Sequence, residues 1–188
     1  MSRPRSDVKR DAILSAAVRI IASQGLGAPT ATIAQEAGVS NGSLFTYFET
    51  KADLLNQLYL ELKAEMAAAG MDGLPAGTDI RKQMLHMWSH WLRWATSYPE
   101  KRRTLAHLGV SDEITLESRQ TGHQTMAGVA TLLERSREKG PMRDAPLGFV
   151  VALMNGVADA TIDFIIRDPV NADQHAKAAF DALWRMIA

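Results

Sequence analysis

The chain contains no cysteine, which excludes disulfide frameworks and thiolate metal centres and suits a reducing compartment such as the cytoplasm. It also has no charge excess: 21 Lys+Arg stand against 21 Asp+Glu. No whole-molecule field therefore draws it to nucleic acid, so any such contact must come from a local face. No run approaches the ~20 consecutive apolar residues that span a bilayer. The opening MSRPRSDVKRD is charged and lacks the apolar centre of a secretory leader, so a cytoplasmic protein without a membrane partner is expected. Also missing are period-two strands, internal repeats, an HExxH pair, a phosphate-cradling glycine loop and an evident Ser/His/Asp constellation, so no enzyme and no cofactor is indicated.

What is present is ordinary globular material. With 188 residues, 46% hydrophobic and 22% charged, the chain can bury a real core, and disorder is not the default. After a basic arm, Met1 to Ser6, apolar residues at helical spacing (Ile13, Leu14, Ala17, Val18, Ile21) predict a helix over 7–23, ended by Gly25 and Gly27. A short helix is expected from about Pro29 or Thr30 to Ala37, because Pro suits a first helical position and Thr30 can cap. Gly38 closes it, and Ser40 is placed to cap a third helix through Phe48 that buries Leu44 and Phe48. Two short helices across the turn Ala37-Gly38-Val39-Ser40 make a helix-turn-helix.

Thr50 and Asp53 have capping-box spacing ahead of Leu54, Leu55, Leu58, Leu62 and Met66, predicting a helix over 51–69. The stretch Gly70 to Gly77 is the best linker. Further helices are expected over 79–97, 100–108, 112–139, 146–167 and 172–187. The fold class is all-α, with about nine helices.

The segment IAQEAGVSNGSLFTYFETKADLL, Ile33 to Leu55, closely resembles the DNA-binding signature of the TetR (tetracycline repressor) family. The match includes Ile33-Ala34, Glu36-Ala37-Gly38-Val39-Ser40, Gly42, Leu44, Tyr47-Phe48, Lys51 and Leu54-Leu55. It is strongest over the first 55 or so residues; beyond them the agreement is in length and helical layout. The resemblance implies an N-terminal three-helix DNA-binding domain, 1–50, and a C-terminal helical domain for ligand sensing and dimerisation, 51–188.

It also implies that Asn41, Ser43 and Thr46 approach base edges and that Tyr47 and Lys51 contact phosphates, with Ser40 and Gly42 at the start of the recognition helix; Ala28-Pro29-Thr30-Ala31-Thr32 departs from relatives that often carry Thr and Arg there, and Thr30 and Thr32 are candidates for phosphate contact. The chemistry agrees: a phenol donates a hydrogen bond, an ammonium offsets phosphate charge, and small residues let the helix approach the groove. The sequence departs where the family commonly has Lys (Asn41) and Tyr (Phe45), so operator preference is not transferable. Arg3, Arg5, Lys9 and Arg10 are candidates to reach phosphates or the adjacent minor groove.

In the second half, His86, Trp88, Trp91 and Trp94 gather on one helix and, with Met126, Phe149 and Asn155, are candidate pocket residues for a small apolar or aromatic effector. The plainer reading of an aromatic stripe is core. His86 and His90 share a face at i,i+4, but no third ligand is placed by sequence, so no metal is expected. Val150, Met154 and Val157, with Phe180, Leu183, Trp184 and Ile187, exceed what one covering layer requires and are the expected dimer surface, in line with the intersubunit four-helix bundle that the resemblance implies. A ligand-responsive repressor bound to palindromic operator DNA as a homodimer follows. The alternative is a fold relative that binds DNA through protein or nucleoid partners without sensing a small molecule.

Overall fold

The computed structural model describes residues 5–77 and 79–188, the side chains of Arg5 and Ser6 excepted. Among these residues it is all-helical: α1 (Arg5–Gln24), α2 (Thr30–Glu36), α3 (Asn41–Tyr47), α4 (Lys51–Met71), α5 (Ile80–Ser97), α6 (Pro99–Gly109), α7 (Leu116–Thr125), α8 (Ala127–Arg137), α9 (Leu147–Arg167) and α10 (Ala172–Ile187), with a 3-10 turn at Pro169–Asn171. The chain divides into two compact units, one formed by the residues up to Ala64 with Tyr98–Gln124, the other by Glu65–Ser97 with Thr125–Ala188.

In the first unit α1 lies against α2 and α6, and α2 against α3. The predicted stripe of α1 is buried, with Ile13, Leu14, Ala17, Val18 and Ile21 joined by Ile33, Leu44, Phe48, Leu54, Leu55 and Leu58. Polar side chains lock the packing. Thr104 on α6, fully buried, donates to the Val18 carbonyl at 3.0 Å. Arg19 pairs with Glu36 at 2.7 Å.

In the second unit α5 lies against α8, α9 and α10, and α9 against α10. Trp88, Met84 and Met87 are buried there with Phe180, Leu183 and Ile187. Arg137, also buried, binds Glu134 with two nitrogens and donates to the Met142 carbonyl at 2.6 Å, which ties the 138–146 connection to α8.

Two expectations change. The single helix expected over 112–139 is two: it starts only at Leu116 and breaks at Met126 (φ −87°, ψ 5°). Thr121, Gly122, Thr125 and Gly128 surround that break and are weak helix formers. Thr30 opens α2 rather than capping it, because Pro29 holds the extended N-cap position. By length and composition α9 is apolar enough to cross a membrane, but Asn155, Asp159 and Asp163 interrupt it, and no uninterrupted apolar span of about 20 residues is present in it.

Candidate functional site

The helix-turn-helix is built by local chemistry. Gly38, at φ +69°, takes the left-handed conformation that ends α2. The Val39 N–H then reaches the Ala34 carbonyl at 3.0 Å and the Gly38 N–H reaches the Gln35 carbonyl at 3.1 Å, which is a Schellman closure. Two residues on, Ser40 caps α3 by accepting from the Ser43 N–H at 3.1 Å. Leu44 and Phe48 are fully buried and hold α3 onto the unit. Half of the expected capping box forms: Thr50 accepts from the Asp53 N–H at 3.0 Å, while the Asp53 carboxylate accepts from the Glu49 N–H at 3.2 Å, one residue before the cap rather than at it.

With its apolar side held down, α3 presents Asn41, Gly42, Phe45 and Thr46 outward, while Ser43 and Tyr47 are half-buried at its margins. Lys51 stands half-exposed at the first position of α4, and Thr30 and Thr32 are half-exposed on α2. Thr46 donates to the Ser43 carbonyl at 2.5 Å, so its hydroxyl proton is committed although the residue is exposed. Among the described residues the Asn41 amide, the Tyr47 hydroxyl and the Lys51 ammonium have no side-chain partner. Polar heads left unpaired beside a short exposed helix suit an external partner with acceptors.

Arg10 is not available for that purpose. Its guanidinium binds Glu61 at 2.6 Å and Gln57 at 2.9 Å and lies 5.8 Å from the centre of the Phe48 ring, tying α1 to α4. Lys9 is exposed. Arg3 and the Arg5 side chain lie outside the described residues.

The candidate pocket residues do not all come together. Trp88 is fully buried, and its indole N–H donates to the Ala176 carbonyl of α10 at 3.0 Å. Trp94 is also buried and donates instead to Glu65 of α4 at 3.1 Å. Trp91 is half-buried with its edge toward Trp88, ring centres 5.8 Å apart. Met126 is half-buried before α8, whereas Phe149 and Asn155 are exposed on α9.

His86 and His90 meet as a stacked pair, ring centres 3.9 Å apart, with His86 Nε2 bonded to the Asp72 carbonyl at 2.7 Å. Burial holds the His90 pKa below its ordinary value, and the neighbouring His86 and Arg93 push the same way. Among the described residues no three metal-ligating side chains gather.

The expected dimer surface is also redistributed. Val150, Met154, Phe180, Leu183 and Ile187 are buried inside the chain, and only Val157 and Trp184 of that set keep surface. The apolar periodicity is real, but α5, α9 and α10 of one chain satisfy it among themselves. Among the residues that α9 leaves outward are Phe149, Gly156, Ala160 and Phe164, with Leu153 half-exposed. These follow one another at helical spacing along a single face.

Residues 13–58 match the model of a family described as bacterial regulatory proteins, tetR family. Over nearly its whole length the chain resembles solved structures. It is 29% identical to a tetR family transcription regulator from Shewanella sp. PV-4, with a TM-score of 0.83 and 94% of this chain and 96% of that one covered. A TetR family regulator from Marinobacter aquaeolei VT8 shares the fold at TM-score 0.87 and 24% identity, covering 97% of each chain. The fold is shared also with FadR from Bacillus subtilis, solved with stearoyl-CoA, at TM-score 0.70 and 18% identity over 95% of this chain and 99% of that one.

Proposed function

We propose that this chain is a TetR-family transcription regulator that binds a palindromic operator as a homodimer and releases it when a small apolar or aromatic molecule occupies its helical C-terminal region. The observation that carries the DNA-binding part is the outward side of α3, where Asn41, Gly42 and Thr46 are exposed and Tyr47 and Lys51 flank them with their polar heads unpaired among the described residues. A two-turn helix enters a major groove about 12 Å wide. Asn41, Ser43 and Thr46 serve base edges; Ser40 and Gly42 permit the approach; Tyr47, Lys51, Thr30 and Thr32 take phosphates.

One such helix reads too few base pairs for useful discrimination, and a two-fold pair places two of them about 34–36 Å apart. The outward face of α9 around Gly156, together with Val157 and Trp184, is the pairing surface. Its apolar residues are exposed in the single chain, and its small residues allow close helix approach. Residues 1–50 then read DNA, and residues 51–188 sense and dimerise. The protein works in the cytoplasm, where its operator is.

The likeness to a regulator that holds stearoyl-CoA supports a small-molecule effector, with the indoles of α5, His86 and Met126 as its surroundings. A second reading has its own support. The indole N–H groups of Trp88 and Trp94 are satisfied inside the chain, as a core filled without ligand would be. On that reading the protein binds DNA without sensing a small molecule.

One experiment separates these readings. Purified protein is mixed with the duplex that it enriches from a random pool, and the complex is titrated with long-chain acyl-CoAs and planar aromatic cations while tryptophan fluorescence and operator retention are followed together. Loss of DNA on binding supports the effector reading. Fluorescence change with full retention of DNA, across every compound, leaves the second.

A further inference from the structure

The side of α3 that faces outward says which bases it suits. The helix reads NGSLFTY and carries no charged residue. Guanine is ordinarily read by an arginine or lysine reaching its O6 and N7, and cytosine by a carboxylate accepting from its amino group. The exposed positions offer neither: they are Asn41, Gly42, Phe45 and Thr46. An asparagine amide pairs with adenine N6 and N7, and an apolar side chain packs against the 5-methyl of thymine, which is the one apolar group a base pair presents in the major groove.

Phe45 fits that second task. It is 41% exposed, and from α2 through α5 it is the one large apolar side chain exposed among the described residues. It lies one turn after Asn41, so the two share a helical edge. Beside it, the exposed Thr46 holds its hydroxyl proton on the Ser43 carbonyl, which leaves it a methyl group and an acceptor oxygen to offer. A lone exposed ring is unremarkable on a protein surface. Here it stands among the residues that would face the groove, where it has no hydrogen bond to offer.

We propose that Phe45 is a specificity-determining residue that reads a thymine through its 5-methyl group, and that Asn41 reads an adenine in the same half-site, so that the direct contact of α3 is with A·T pairs. The inference rests on the DNA-binding reading above and deepens it.

The test starts from a duplex that the purified protein enriches from a random pool. Each thymine is replaced singly by deoxyuridine, which removes the methyl and leaves every hydrogen-bonding edge intact. At one thymine of each half-site, affinity should fall about fourfold, the value of one buried methyl group; the other thymines should be silent. Phe45→Ala should bind the parent duplex more weakly and no longer distinguish thymine from deoxyuridine at that position. Phe45→Leu should keep the distinction. Both variants should melt with the parent protein, because the side chain is exposed. If no duplex is enriched, DNA binding itself fails. If a duplex is enriched and bound but every deoxyuridine is silent, or Phe45→Ala still discriminates, DNA binding stands and the thymine assignment is overturned.

Discussion

The side chain of Asn56 is the clamp that holds Thr115: its carboxamide oxygen accepts from the Thr115 N–H at 2.9 Å, while its nitrogen donates to the Glu113 carbonyl at 2.8 Å. A residue one turn into α4 thereby fixes the turn that precedes α7, and Thr115 in turn caps α7 through the Ser118 N–H at 3.1 Å. Asn56 is buried, while Glu113 and Thr115 are exposed and both bonds are part-buried. Asn56→Ala should lower unfolding free energy by roughly 1–2 kcal/mol, since two backbone groups exchange a fixed partner for water. A urea midpoint indistinguishable from the parent protein would remove the clamp from consideration.

Gly122 is a second fixed point. A Cβ there would lie 2.9 Å from Cε1 of Tyr59, a residue only 3% exposed, which leaves its ring little room to swing away. Gly122→Ala should cost about 1–3 kcal/mol despite alanine's better helix propensity. A raised thermal midpoint would show that the ring yields freely.

The phosphate assignments give a salt signature. Tyr47→Phe and Lys51→Ala should each weaken binding to operator and to unrelated duplex alike. In a dimer, Lys51→Ala should also reduce the steepness of log affinity against log salt by about 2, one condensed counterion per lost ammonium. Equal slopes for parent and variant would place Lys51 away from the backbone. Asn41→Ala, by contrast, should change which bases are preferred.

Pairing can be tested where burial separates two kinds of apolar residue. Phe149→Glu and Trp184→Ala should shift sedimentation toward the single chain without changing its helical content, because Phe149 is 53% exposed and Trp184 is half-buried. Leu183→Ala should instead destabilise the chain itself by about 2–5 kcal/mol, its side chain being buried within the unit. An undisturbed dimer in the Phe149 variant at low micromolar concentration would move the interface off this face of α9.

Lys63 supplies a pH dependence. Burial alone lowers its pKa from the ordinary lysine value, and its ammonium lies 5.8 Å from the centre of the Tyr59 ring. The unfolded chain therefore keeps a proton on Lys63 over a range in which the folded chain has lost it. Stability from this group rises with pH from the lowered folded value up to the ordinary lysine value, and below that range the full penalty applies. Lys63→Met should raise the thermal midpoint at neutral pH and lessen the gain on going alkaline. A midpoint that falls at neutral pH would mean that the ammonium is held by attraction rather than strained by burial.

The residues that were legible in advance act over three or four positions of chain. Ser40 on Ser43, Thr50 on Asp53, Gly38 ending α2, and the buried stripes of α1 and α3 all follow from helix geometry, because the hydrogen bonds involved close within a turn. For the same reason the helix-turn-helix and its exposed polar residues could be located from their order alone. Interactions across tens of residues left no comparable trace. Arg10 reads as a free basic residue until Glu61 and Gln57 take it, Asn56 carries no mark of its partnership with Thr115, and the two buried indoles of α5 turn out to donate to different helices.

The order of amino acids by itself determined that the described residues are helical, where α3 falls and the chemistry of the side chains on it. Only the tertiary structure decided which apolar residues of α9 and α10 are interior and which remain to meet another surface. The physical reason is that periodicity records how much of a helix must leave water. Whether a neighbouring helix of the same chain covers that surface, or it stays open for another molecule, depends on how distant segments pack.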